Sequence, residues 1–128
     1  MAGKGTNRAS EGAGFHELVG VQVDDAGEGH ATVSLKTGDH HLNRHGTVHG
    51  GCLATLADTA MGAAVAASGQ APVTVEMTMT YLEPAGPGTI TASARIRRQG
   101  KRITIVEAEI VDDDGEDVAH AIATFTGI

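Results

Sequence analysis

Tryptophan is absent from this 128-residue chain, and only two phenylalanines and one tyrosine stand among the apolar residues that make up 41% of it. A core of that composition must be built from Val, Ile, Leu, Ala and Met. It is thin, and burial against a second subunit would strengthen it. Cysteine is almost missing: the single Cys52 excludes an intrachain disulfide. Positive charge is scarce, with nine Lys and Arg against sixteen Asp and Glu and a net charge of −7. Such a surface repels phosphate backbones and anionic membranes, and no basic run is interleaved with the aromatics of a base-stacking platform, so nucleic acid is not an expected partner. No signal-peptide core and no 18-residue membrane span is recognised, which makes a cytoplasmic location without a membrane partner the expectation. The length suits one domain with one core.

Residues 1–14 are small, polar and glycine-rich, with no periodic apolar residue, and are expected to form a disordered lead to a domain over 15–128. A short amphipathic turn at 15–19 leads into Val21-Gln22-Val23. Ala31, Val33 and Leu35 then alternate with Thr32, Ser34 and Lys36, which is strand periodicity. Residues 37–49 hold four histidines and no sustained period, so they read as a loop. From 50 to 67, apolar residues at 53, 56, 57, 60, 61, 64 and 65 mark one face of a helix, stopped by Ser68-Gly69. Four runs of strand character follow, at 73–82, 89–97, 102–111 and 117–126, each bounded by turn residues. Their short connections predict a four-strand antiparallel meander. One long helix and a largely antiparallel sheet make the fold class α+β, with the curved sheet wrapped around the helix.

Chemistry concentrates where the loop enters the helix, in Asn43 through His49-Gly50-Gly51. Glycines at a helix start let another molecule approach the backbone. Free N–H groups at the positive end of the dipole suit an oxygen that gains negative charge, such as a thioester carbonyl in acyl transfer. Eight residues on, Asp58 interrupts a run of Ala, Leu, Thr and Met. A carboxylate there is costly unless it is paired or used, as nucleophile or as general base to a water; the bland alternative is the solvent edge of the helix. Eight helical residues span about 12 Å, so Gly50 and Asp58 of one chain cannot both reach one carbonyl carbon. Use of both in one reaction requires two subunits about a two-fold axis.

The run Asn43, His49-Gly50-Gly51, Leu56, Asp58 and Gly62, followed by residues 75–84 (VEMTMTYLEP), resembles the hotdog-fold acyl-CoA thioesterases of the phenylacetic-acid-degradation type over roughly 15–127. The resemblance implies a long central helix wrapped by a five- or six-stranded antiparallel sheet, in dimers and commonly dimers of dimers. It implies hydrolysis of an acyl-CoA or aryl-CoA thioester, with no cofactor beyond the coenzyme A of the substrate. In that family the second HGG position, here Gly50, polarises the carbonyl, and Asp58 of the partner subunit attacks or activates water. Asn43 holds the water or the carboxylate, His49 orients the helix start, and Thr74 assists. Each has a rival reading: Asn43 as turn closure, His49 as a packing residue, Thr74 as an ordinary strand residue. A non-catalytic acyl-CoA-binding module and an enoyl-CoA hydratase share the fold class.

His41, His45 and His49 recur every four residues, but the glycines among them oppose a helix and no fourth ligand is apparent, so no metal site is expected. Cys52 reads as a small buried residue before it reads as a nucleophile. Arg95, Arg97, Arg98, Lys101 and Arg102 crowd one hairpin of an acidic chain, a candidate docking site for the phosphates of coenzyme A, with Gly51 added on the substrate side. A solvated hairpin explains the same charges. Residues 112–117 lack calcium-loop spacing.

Overall fold

The computed structural model describes residues 14–127. Apart from Gly14, the expected disordered lead lies outside them. A five-residue helix, α1 (Phe15–Val19), ends at Gly20, whose φ of +97° is a left-handed stop that favours glycine. Strands β1 (Val21–Gly27) and β2 (His30–Lys36) form a hairpin. A 3-10 turn, Asp39–His41, and a loop then lead to the central helix α2 (Gly50–Ala67). Strands β3 (Pro72–Tyr81), β4 (Thr89–Gln99), β5 (Ile103–Val111) and β6 (Asp117–Gly127) complete one six-stranded antiparallel sheet around it.

The helix forms where its periodicity predicts, and Leu53, Leu56, Ala57, Ala60, Met61, Ala64 and Val65 are its buried residues. They meet the inward residues of the sheet, among them Val33, Leu35, Ile90, Val106, Ile110 and Phe125. Nearly half of the buried apolar residues are alanines, so helix and sheet approach closely and Phe125 is the largest side chain between them. Ala, Leu, Val and Met give α2 a mean hydropathy of 1.3 over 18 residues, enough by length and composition to cross a membrane. In this structure it is the core helix of the sheet.

The sheet order also differs from the expected meander. It runs β1-β2-β4-β5-β6-β3, so β4, β5 and β6 are consecutive neighbours while β3 lies at the far edge, paired with β6. The connection from β3 to β4 is no hairpin. It holds Pro84 and Pro87, buries Ala85, and is tied down by Leu82 N–H to the Val118 carbonyl (2.9 Å) and Val48 N–H to the Ala85 carbonyl (2.7 Å). It therefore crosses the end of the fold beside the helix start, and β2 takes the place beside β4. The first strand is longer than its Val-Gln-Val core because a bulge between Val23 and Asp25 absorbs the break in alternation.

Candidate active site at the helix start and mid-helix

Two groups of residues stand apart on α2. At its start, the loop 42–48 is closed by a bridge between Leu42 and Val48 and by Asn43. The Asn43 side-chain oxygen accepts from His45 N–H (2.9 Å) and Thr47 N–H (3.2 Å), and its Nδ2 donates to Thr47 Oγ1 (2.9 Å). Turn closure thus occupies the oxygen and one amide hydrogen, and leaves the second N–H to act. His49 is the residue before the helix: its Nδ1 accepts from Gly51 N–H at 2.9 Å, while its own N–H donates to the His41 carbonyl (2.8 Å). The helix start is thereby capped by imidazole rather than by a hydroxyl or carboxylate.

The two glycines consequently differ. Gly51 N–H is consumed by the cap, whereas Gly50 N–H has no acceptor among the described residues. It is an open donor at the positive end of an 18-residue helix. A side chain at Gly50 would meet the Tyr81 ring at 3.3 Å, and Tyr81 Oη–H donates to the Gly50 carbonyl at 3.1 Å. Tyr81 is the residue in contact with the helix start that the chemistry of the sequence does not single out. Its signals are its place in the 75–84 run and its being an aromatic in a chain nearly without them. At Gly51 a Cβ would meet the capping His49 ring at 3.1 Å. The space that the glycines leave is thus partly filled by this chain's own rings.

The second group sits at mid-helix. Asp58 is half-buried, and Thr74 Oγ1–H donates to its Oδ1 at 2.8 Å. A bulge between Thr74 and Glu76 resets β3 there: Thr74 pairs with Phe125, which faces the helix, while Glu76 pairs with Thr124 on the outer face. The weakest candidate from sequence thus touches the strongest. Asp58 shares no hydrogen bond with Gly50, His49 or Asn43 of its own chain.

The basic hairpin belongs to neither group within one chain. β4 begins near the helix start, where Thr37 contacts Gly88, and runs eleven residues to the turn at 99–103, where Thr104 meets Gln70 just beyond the helix C-terminus. Arg97 is held by Glu107 at 3.6 Å, and Arg95, Arg98, Lys101 and Arg102 are exposed. Burial pushes the Cys52 thiol pKa up, which removes thiolate at neutral pH and leaves it a poor nucleophile. The histidine series does not converge. The buried His41 ring bonds to Gly38 and Val19, His49 caps the helix, and no group of metal-binding side chains occurs among the described residues.

The family model of the thioesterase superfamily matches residues 45–119. The acyl-coenzyme A thioesterase PaaI of Escherichia coli is 37% identical over 104 residues, covering 80% of this chain and 74% of that protein. The solved structure of the E. coli PaaI protein from the phenylacetic acid degradation operon superposes with a TM-score of 0.88 at 32% identity, over 96% of this chain and 90% of that one. A hypothetical thioesterase protein from Streptococcus pneumoniae, solved with coenzyme A, superposes with a TM-score of 0.80 at 27% identity, over 84% and 87%. With its match running from residue 45 through α2, β3, β4 and β5, the chain belongs to the thioesterase superfamily and carries the hotdog fold.

Proposed function

We propose that the protein hydrolyses acyl-CoA or aryl-CoA thioesters in a site completed by two subunits. The observation that carries this reading is the pair of features on α2: an unpartnered N–H at Gly50 and, eight residues further on, a carboxylate held by Thr74. The likeness to PaaI and to a thioesterase bound to coenzyme A supports the substrate class. The Gly50 N–H polarises the thioester carbonyl and stabilises the oxyanion. Asp58 of the partner subunit, with one oxygen occupied by Thr74, takes a proton from water through the other; the water oxygen bonds to the acyl carbon. The carbon–sulfur bond breaks, the coenzyme A thiolate leaves and is protonated, and the free acid is released. His49 holds the helix start in place, and the free N–H of Asn43 steadies the water.

A dimer follows from the reach of the helix, about 12 Å between Gly50 and Asp58. The edge strand β3 supports it: Val73 and Val75 are 43% and 59% exposed beside Asp58 and Thr74. Pairing of two such edges would lay the two α2 helices antiparallel, with Asp58 of each beside Gly50 of the other. The same symmetry would carry the partner's basic hairpin beyond the helix start, where Arg97, Arg98, Lys101 and Arg102 meet the phosphates of coenzyme A. A dimer of dimers, a cytoplasmic setting and the absence of any cofactor other than the coenzyme A of the substrate complete the reading. Asp58→Asn tests it: thiol release from acyl-CoA is expected to fall by about 10²–10⁴-fold with an unchanged far-UV circular dichroism spectrum, and full activity would refute the assignment.

A further inference from the structure

Two polar side chains are buried among the described residues, and they sit near opposite ends of α2. Thr104 donates to Gln70 Oε1 at 3.3 Å just beyond the helix C-terminus. His41, only 4% exposed, lies beside the helix start, and no step of the proposed hydrolysis uses it. A buried imidazole is costly unless both ring nitrogens are satisfied, a demand that an apolar side chain in the same space would not make. Both are satisfied here within the chain. Nδ1 accepts from Gly38 N–H at 2.8 Å, and Nε2 meets the carbonyl of Val19, the last residue of α1. A backbone N–H only donates and a carbonyl only accepts, so the ring is a neutral imidazole with its proton on Nε2. That tautomer fastens residue 41 to points three and twenty-two residues away along the chain.

The helix start is tied to this fastened residue. The His41 carbonyl accepts His49 N–H at 2.8 Å. His49 is therefore held three times: its N–H by His41, its Nδ1 by Gly51 N–H at 2.9 Å, and its carbonyl by Cys52 N–H at 2.8 Å. Only the tie to His41 comes from outside the helix and its cap. The peptide between His49 and Gly50 carries the held carbonyl on one side and the open Gly50 N–H on the other. A trans peptide is planar with the two groups opposed, so fixing the carbonyl aims the N–H. Rotation of His49 about its ψ of 136° would turn that donor away from the carbonyl it has to meet.

We infer that His41 is a positioning residue for the hydrolysis: its neutral ring, anchored on Gly38 and Val19, holds the carbonyl that keeps His49, and through it the Gly50 N–H, aimed at the substrate. The inference rests on the thioester-hydrolase reading given above. His41 touches neither the substrate nor the reacting atoms, and it acts only through Gly50.

A double-mutant cycle with Gly50→Pro, which removes the N–H itself, tests this role. His41→Leu loses both ties. With Gly50 in place it is expected to lower kcat for an acyl-CoA about twentyfold and to change KM less than about threefold; with proline at position 50 the further loss is expected to stay below about twofold. His41→Gln keeps a donor for Val19 and gives up the acceptor for Gly38. A loss of about fivefold is expected, again only with Gly50 in place, and this variant carries the cycle if the leucine variant does not fold. Thr104→Val removes the other buried hydrogen bond and is expected to lower the Tm with kcat unchanged; a kcat loss as large as that of His41→Leu would reduce His41 to general stability. Long-range proton–nitrogen spectra of the histidine-labelled wild type are expected to show a neutral ring protonated at Nε2 whose signal is lost in His41→Gln, and a charged or Nδ1-protonated ring at this position would overturn the tie to Gly38. Equal losses in both backgrounds of the cycle overturn the positioning role and leave the thioesterase. A wild-type protein that releases no thiol from any acyl-CoA removes the two together.

Discussion

Asp58 and Thr74 are sixteen positions apart in sequence and 2.8 Å apart in the fold, and their contact gives the carboxylate a fixed orientation. A hydrogen bond to a charged group of this kind contributes about 1.5–3 kcal/mol when shielded, and less at this exposed position. Thr74→Ala is expected to lower kcat about tenfold with little change in KM, and Thr74→Ser to restore most of the loss; equal losses from both would assign the threonine a packing role instead. Cys52 gives a pH-dependent expectation. Because burial raises its pKa, thiolate appears only at higher pH, so the maleimide rate is expected to rise with a midpoint above that of free cysteine. A midpoint below it would contradict the burial. At this scale the sequence is informative where a residue breaks a pattern, as Asp58 does in its apolar helix and Gly50 at the helix start. It is mute where a role depends on distance along the chain. Thr74 looks like any strand threonine until the bulge turns it inward, and Tyr81 touches Gly50 from thirty-one residues away.

Elements were legible in proportion to how local their causes are. The periodicity of α2 reproduces its ends and its seven buried residues, because both follow from a single amphipathic face. The place of β3 was not legible. A seven-residue link with two prolines looks like a loose hairpin in sequence, but its route is fixed by hydrogen bonds to Val118 and Val48, residues from two other parts of the chain. That route leaves β3 as an edge with apolar residues facing solvent, a liability that natural sheets ordinarily cover. Val75→Lys, at the bulge of this edge, is expected to shift the protein to monomers in sedimentation velocity and to abolish thioester hydrolysis in parallel. A fully active monomer would sever the link between this edge and the site.

At the scale of the whole molecule, the central claim is that neither protomer holds a complete site. The thin alanine-rich core and the exposed β3 edge both point to a second copy, and the distance between Gly50 and Asp58 makes that copy part of the chemistry. Two variants separate the half-sites, with the fold of each checked by far-UV circular dichroism because a Cβ at position 50 meets the Tyr81 ring at 3.3 Å. Gly50→Pro removes the N–H at the first helical position, where proline is well tolerated, and His49 before it already has the extended backbone that a following proline requires, with ψ of 136°. Asp58→Asn removes the base. The decisive measurement is the thioesterase activity of the two variants co-expressed and purified together, set against each alone. Random pairing makes half of the dimers mixed, each with one intact site of two, so activity is expected to recover to about a quarter of wild type from two nearly inactive parents. Activity no greater than that of the parents, in a preparation shown to contain mixed dimers, would contradict the shared site.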